Sequence, residues 1–467
     1  MNAILIVLDS LRKDHVGCYG NDWISTPTLD AFAKEAVTCT NAYPESLPTL
    51  PFRRSLYTGC RVFPFEGHIA HKGDFVSMSP GWGPMHESRD SLAELLQMRY
   101  YRTALISDCY HQFKPSMNFH RGFSQWQWIR GQESDPYKSG PAISGRELEK
   151  YLPKNLRTPF QIRHVMEQYL KNIRERTGEE DCFAPQVFRA ASKWITDNVD
   201  AESFFLTVES FDPHEPWDPP EAYRRLYDDS DGPEREVISS LYGPADQLTE
   251  AELRRLRANY AGEVTMADHW LGSFLDTVRS AGLMENTVIV IISDHGHCLG
   301  EHNLVSKQGH PMCREVADLV LLMRFPDGLG AGRTCDSFVY NHDIAPTLLN
   351  YLGVSGADHM EGKDLMPLLR SGQALYDHVT VGYGPFVMVR NNEYWYNAYL
   401  WGEAPRLYGL RDDPDLTTDI AEQNPDILEH MNKLALEDAG GVIPDLLRDL
   451  AGSNIPGCTP MEAALEM

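Results

Sequence analysis

No two of the nine cysteines stand at Cys-x-x-Cys spacing, and none has a metal-ligand partner at a recognisable interval. Neither a zinc knuckle nor a thioredoxin-type redox motif is therefore written into the chain. An odd number of scattered cysteines over 467 residues reads as reduced thiols in a cytosolic protein. Long apolar runs are missing too. The N-terminal run Ala3-Ile4-Leu5-Ile6-Val7-Leu8 stops after six residues at Asp9, too short for a signal-peptide core. Nowhere does the chain reach the roughly 18 apolar residues of a membrane span. The expectation is a cytoplasmic protein with no membrane partner. Basic charge is in deficit: 42 Lys and Arg stand against 67 Asp and Glu, for a formal net charge of −25. That balance argues against nucleic acid or an anionic membrane as the main partner. A small anionic ligand in a local basic pocket stays compatible with it. Internal repeats and low-complexity segments are absent as well.

What the chain does contain is a set of short apolar runs separated by helical segments: Ala3–Asp9, Thr103–Asp108, Phe204–Glu209, Thr287–Asp294 and Leu319–Phe325. Runs of this kind are expected as parallel strands buried on both faces, and their alternation with helices predicts an α/β doubly wound sheet. Asp9, Asp108 and Asp294 end three of them. Sites in open α/β sheets form beyond the carboxyl ends of the strands, so these aspartates are candidates to converge. A charged stretch over about 130–200, with an amphipathic helix at Arg163–Arg176, reads as a helical insertion that frames the site or mediates assembly. A homo-oligomer is possible on that ground alone. Residues 226–257 read as acidic, helical and solvent-facing. After residue 365 the character changes. Strands at Val387–Arg390 and Glu393–Leu400 flank an Asn391-Asn392 turn, a strand follows at Arg406–Leu410, and a helix at Asp426–Glu437. The expected division is a catalytic domain over 1–365 and a small C-terminal α+β subdomain over 366–467.

Three segments carry candidate chemistry. Pro48-Thr49-Leu50-Pro51-Phe52-Arg53 runs from a loop into a helix, with the Thr49 hydroxyl at the expected N-cap and Arg53 one turn later. Helix N-termini attract anions, and an arginine there offers a bidentate clamp for a tetrahedral oxyanion. Ser293-Asp294-His295-Gly296 closes a strand with a carboxylate and an imidazole. With Asp9 this mixed oxygen and nitrogen set suits Mn, Zn or Fe better than Ca. Lys307 follows 13 residues after Asp294 and is placed to touch an oxyanion or a leaving group. His214, in Asp212-Pro213-His214-Glu215-Pro216, belongs to the same end of the sheet and is a candidate proton donor. Each of these segments alone is also compatible with an ordinary loop or cap. The aromatic residues Trp126, Trp128, Tyr394, Trp395, Tyr396 and Tyr399 read as core rather than pocket.

In order along the chain, Asp9-Ser10-Leu11-Arg12, Gly17-Cys18-Tyr19-Gly20, Thr26-Pro27-Thr28-Leu29-Asp30, Arg53–Gly59, Ser293–Lys307, Asp343–Leu349 and Arg406–Pro414 resemble the sulfatase family of the alkaline phosphatase superfamily. The character is nearest to its phosphonate monoester hydrolases and phosphodiesterases. The resemblance spans most of the chain outside 125–200. It implies an alkaline-phosphatase-like, mostly parallel sheet flanked by helices. It also implies metal ligands Asp9, Thr49, Asp294 and His295, catalytic roles for Thr49, Arg53, His214 and Lys307, a divalent ion (Mn or Zn favoured over Ca) and a small anionic ester as substrate.

Departures from the family pattern redirect the chemistry. Thr49 stands where sulfatases carry the cysteine or serine that becomes formylglycine, and Phe52 replaces the serine of the Cys-x-Pro-Ser-Arg pattern. No formylglycine is expected. Ser10 replaces a second carboxylate or amide, and Asp108 and Tyr110 replace a Lys and a His used around sulfate, with His111 next door. Threonine nucleophiles in the superfamily serve phosphoryl transfer. The expected activity is therefore hydrolysis of phosphodiesters or phosphonate monoesters through a phosphothreonine. The alternatives are a sulfatase with an unmodified threonine and a non-catalytic metal- or anion-binding protein. Asp212 and His310 are candidate ligands for a second metal.

Overall fold

A computed structural model describes residues 1–69, 78–157, 159–453 and 458. The end of the expected C-terminal subdomain, 454–457 and 459–467, thus lies outside the described residues. Eight strands form the main sheet: β1 (Asn2–Leu8), β2 (Val37–Tyr43), β3 (Arg102–Ser107), β4 (Gln125–Trp128), β5 (Phe204–Ser210), β6 (Thr287–Ser293), β7 (Leu321–Arg324) and β8 (Thr334–Tyr340). Their order is β8-β2-β7-β6-β1-β5-β3-β4. β1, β5 and β6 are buried along their whole length, as strands covered by helices on both faces must be. The fold class is as expected from the sequence: a mostly parallel, alkaline-phosphatase-like sheet.

One strand runs the other way. β7 pairs antiparallel with both β6 and β2, although the run Leu319–Phe325 reads as a parallel strand. Between Ser293 and Leu321 the chain forms a small hairpin with a short 3-10 turn, Glu301–Asn303, at its tip, and the four-residue helix Arg314–Ala317. Nothing there carries it back across the sheet face, so it re-enters from the same edge, and a parallel pairing without a crossover is impossible. Strands β2, β4 and β8 escape a periodicity reading because they are polar. β8 (TCDSFVY), at the sheet edge, is half exposed over its first four residues.

The stretch 226–257 is not a solvent-facing helix. Helix begins only at Glu250 and continues to Ser280, capped by a reciprocal Thr249–Glu252 box. Its acidic flank is consumed internally: buried Arg255 pairs with Asp228 at 2.8 Å and Glu236 at 2.9 Å. The amphipathic helix near 163–176 spans Pro159–Asn172. The next helix, Phe183–Asp197, lays Phe183, Val187, Phe188, Ala191 and Trp194 against β5 and the Glu250–Ser280 helix.

Past residue 365, β9 (Val379–Tyr383), β10 (Phe386–Arg390), β11 (Tyr394–Tyr399) and β12 (Arg406–Gly409) form an antiparallel meander. Helix Pro425–Asp438 packs on it through Met431 and Ala435. Trp395 and Tyr396 are core residues of this sheet, while Trp126 on β4 is half exposed. The sheet grips both functional loops of the main domain. The Leu47 N–H donates to the Gly382 carbonyl at 2.8 Å. The Met312 N–H donates to Asn397 Oδ1 at 2.9 Å, and Trp395 Nε1 donates to the Met312 carbonyl at 3.0 Å. No helix among the described residues is long and apolar enough to cross a membrane.

Candidate active site and metal centre

Parallel register builds the centre. Leu8 lies beside Ser293 on β6 and Ser210 on β5, so Asp9 and Asp294 leave adjacent strands at the same level. Asp9, Asp294 and His295 are fully buried. One ligand atom from each lies within 4.8 Å of the others. His295 Nδ1 faces the Gly296 carbonyl at 3.0 Å, which makes Nδ1 the protonated nitrogen and leaves the Nε2 lone pair toward the carboxylates. Nε2 has no hydrogen-bond partner among the described residues. Asp9 Oδ2 faces Arg53 Nη2 at 3.1 Å and has no aligned hydrogen bond among the described residues. Buried groups rarely go unsatisfied, and this oxygen and nitrogen set fits a divalent cation. Ser10 closes the cradle: its N–H donates to Asp294 Oδ1 at 2.9 Å and its hydroxyl to Asp9 Oδ1 at 3.0 Å. It does so from a left-handed backbone, φ 59°.

The two carboxylates divide the work electrostatically. Burial and the charge of Asp294 push Asp9 up, against the pull of Arg53. Burial also works to raise Asp294, but the charges of His295 and Arg53 outweigh it and hold Asp294 below the usual carboxylate range.

Gly296 marks a close approach. A Cβ there would stand 2.1 Å from the Glu315 carbonyl oxygen, and the Gly296 N–H already donates to the Val316 carbonyl at 3.0 Å. Gly296→Ala is expected to cost about 1–3 kcal/mol through overpacking and to weaken metal binding, because the loop carrying His295 must shift. Urea unfolding and metal titration check this. Wild-type values in both would show that the loop yields freely.

Thr49 is the first residue of the helix Thr49–Thr58 and is 2% exposed. The expected N-cap position falls on Pro48, so Thr49 opens the helix instead of capping it. Arg53, one turn on, is fully buried and faces three carboxylates: Asp294 at 2.8 Å, Glu209 at 2.9 Å and Asp9 at 3.1 Å. Its Nη1 also donates to the Thr49 carbonyl at 3.1 Å. Most of the guanidinium is therefore turned toward the protein. Three carboxylates and one guanidinium leave a deficit of positive charge that a divalent cation fits.

Lys307 and His214 form a second group. Lys307 Nζ lies 2.6 Å from His214 Nε2, and His214 Nδ1 lies 2.8 Å from the Glu215 carbonyl. A lysine ammonium has no acceptor, so His214 accepts at Nε2 and donates at Nδ1. Burial, with Lys307 assisting, lowers His214 to about 4, consistent with a neutral ring. Lys307 also acts on Asp9 and His295 by its charge. Around the pair stand Glu215, hydrogen-bonded by Tyr242, and Glu133, His297 and His111. An acid limb of kcat/KM arising from His214 is expected near pH 4, since protonating its ring breaks the lysine contact. A pH profile checks this: the limb should vanish in His214→Asn, and a limb near pH 6.5 that His214→Asn removes would contradict a buried neutral ring.

The remaining candidates lie elsewhere. Asp212 accepts from Gln132 at 2.7 Å and from the Ala184 N–H at 2.9 Å, at the start of the Phe183–Asp197 helix. His310 contacts the Ala404 carbonyl at 2.8 Å against Phe386 and Tyr399. Neither belongs to a potential metal cluster among the described residues; His214 does, with Glu133 and Glu215. Asp108 accepts from Gln132 and the Phe211 N–H, and His111 sits edge-on to Trp82. Glu209, Glu215, Glu133 and His297 were not singled out from the sequence. The one local signal was His297, which extends Asp294-His295-Gly296 by a second imidazole.

These elements fit one class, hydrolases of ester bonds that work with a bound cation. Comparison with known proteins agrees. The Sulfatase family model matches residues 1–354, and that of the N-sulphoglucosamine sulphohydrolase C-terminal region matches 300–435. The chain belongs to the Sulfatase family, whose members are metal-dependent. It is 25% identical to an arylsulfatase of Clostridium perfringens, over 94% of each chain. It is 24% identical to the multifunctional alkaline phosphatase superfamily protein PehA of Trinickia caryophylli, over 80% of this chain and 77% of that one. Its fold is similar to that of the phosphonate monoester hydrolase of Agrobacterium radiobacter, with a TM-score of 0.72 at 21% identity over 94% and 95% of the two chains.

Proposed function

We propose that this chain is a metal-dependent hydrolase of phosphodiesters or phosphonate monoesters, with Thr49 as nucleophile. The observation that carries the reading is the threonine itself, at the helix start where formylglycine enzymes need a cysteine or serine. A plain hydroxyl attached to sulfur lacks the collapse to an aldehyde that frees a formylglycine enzyme, whereas a phosphothreonine yields to water. Asp9, Asp294 and His295, together with Thr49, would hold the cation, and their mixed oxygen and nitrogen set favours Mn or Zn over Ca. Bound there, the cation supplies the charge that lowers the pKa of a hydroxyl and offsets oxyanion charge.

The chain's own groups do the rest. Thr49, its hydroxyl proton already lost to solvent, attacks as the alkoxide: its oxygen forms the bond to phosphorus as the bond to the leaving oxygen breaks. Lys307, held against His214, gives that oxygen a proton. At the helix start Pro51 has no N–H and the Phe52 N–H donates to the Pro48 carbonyl at 3.0 Å, so the N–H groups of Thr49 and Leu50 are the ones that would meet the equatorial oxygens. Water then attacks phosphorus, gives one proton to Lys307 and its hydroxyl to phosphorus, and releases Thr49 as the alkoxide that began the cycle.

A second reading, a sulfuric ester hydrolase with unmodified Thr49, is favoured by the arylsulfatase likeness along nearly the whole chain. Four matched nitrophenyl esters separate the two: a phosphodiester, a phosphonate monoester, a phosphate monoester and a sulfate monoester, each with Mn- or Zn-loaded protein. Preference for the diester or phosphonate is the expected result. Preference for sulfate would overturn it. Turnover of none would favour a binding protein or a narrow natural substrate.

A further inference from the structure

The loop between the two strands β6 and β7 holds a second cluster of ligating side chains, apart from the centre described above. Cys298 and Cys313 are 1% and 8% exposed, and their sulfurs are 3.2 Å apart. A carboxylate oxygen of Glu315 lies within 4.8 Å of both sulfurs. His302 Nε2 stands 3.3 Å from Glu315 Oε2, on the rim of the cavity that Cys298 and Cys313 also line. We propose that Cys298, Cys313, Glu315 and His302 form a zinc-type structural metal site.

Chemistry and geometry support it together. Two thiolates, an imidazole and a carboxylate make four donors, the number that structural zinc takes, and sulfur selects against Ca and Mg. Bonds of about 2.3 Å to zinc in a tetrahedron set sulfurs roughly 3.8 Å apart, so an entering ion parts the pair by only about half an ångström. His302 is presented by a tight turn in which Gly300, His302 and Asn303 all have positive φ, 111°, 54° and 57°. A cavity of about 380 Å³ borders Cys298, His302 and Cys313 and gives an ion a way in. The spacing of the four residues along the chain, Cys-x3-His-x10-Cys-x-Glu, matches no familiar zinc pattern, which is why the cysteines seemed partnerless in the sequence. An ion there would pin the hairpin Cys298–Ser306 to the helix Arg314–Ala317. His295 and Lys307 lie on either side of that hairpin, so the site would brace both without touching substrate.

The test uses the full chain, purified under reductant and loaded with Co²⁺. A thiolate-to-cobalt charge-transfer band is expected in the wild type and in Asp294→Asn, and not in Cys298→Ser/Cys313→Ser. Elemental analysis of zinc-loaded protein should show one ion fewer per chain in the double variant, while the centre at Asp9 keeps its own. The wild-type spectrum decides even where the double variant does not fold. Absence of the band from wild-type protein with free thiols overturns the proposal, and so does a Cys298–Cys313 disulfide found by mass spectrometry in protein purified without reductant and resistant to zinc.

Discussion

Thr49→Ala is expected to lower kcat/KM by at least about 10³-fold, the scale on which loss of a covalent nucleophile is felt, while a metal bound by Asp9, Asp294 and His295 is retained. The separation follows from the geometry. The three metal-centre residues leave β1 and β6, whereas Thr49 comes from a helix on a different connection. Removing one hydroxyl takes nothing from the parallel register that brings Asp9 and Asp294 together. Helix Thr49–Thr58 is fixed by Arg53 and by Asn341, whose Nδ2 donates to the Phe52 carbonyl at 3.0 Å and to Ser55 Oγ at 2.8 Å. Alanine is therefore tolerated at its first turn. Turnover and metal stoichiometry are measured on the same preparation. Undiminished turnover would refute the nucleophile assignment. Loss of metal together with activity would make Thr49 a ligand first and a nucleophile second.

Arg53→Met should be the most destabilising single change at the site. It removes the cation from among Asp9, Asp294 and Glu209, all fully buried. Breaking buried ion pairs from one side costs about 3–5 kcal/mol. Glu209 keeps hydrogen bonds from Tyr57, Gln112 and Ser107, but those are neutral donors and do not replace a charge. The loss should be largest without metal and should shrink on adding Mn or Zn, because the cation offsets part of the exposed repulsion. Denaturant unfolding with and without metal measures it. An arginine that chiefly clamps substrate would behave otherwise: the variant would unfold like the wild type yet lose about 10²–10³ in rate.

The same pair of residues shows what a sequence can and cannot disclose. Asp9 and Asp294 were legible because each ends an apolar run, and parallel strands in register bring such ends to one level. Arg53 was legible as a residue of the site, but its partners were not. Glu209 lies 156 positions away within a strand, and a glutamate there looks like any acidic strand end. Glu215 and Glu133 likewise gain meaning only from Lys307 and His214, contacts of long sequence separation that no local pattern encodes. The direction of β7 was hidden for a related reason. Alternation and burial report that a segment is a strand, and only the path between strands reports which way it runs. The acidic stretch before Glu250 misled because its charges are spent on Arg255, a partner that composition counts but does not place.

The antiparallel meander after residue 365 holds the backbone at Leu47, shortly before Thr49, through Gly382, and the backbone at Met312, in the loop that follows Lys307, through Asn397 and Trp395. It behaves as a caliper: one jaw rests on the segment that leads into Thr49, the other on the segment that follows Lys307, and the sheet between them sets the gap. Wear in a caliper shows as false measure and not as breakage. Substitutions on the buried face of this sheet should accordingly leave the ion in place and the chain folded while altering which ester, long or short in its leaving group, fits the gap. A remote sheet of this kind gives a family a means of changing substrate without disturbing the residues that do the chemistry.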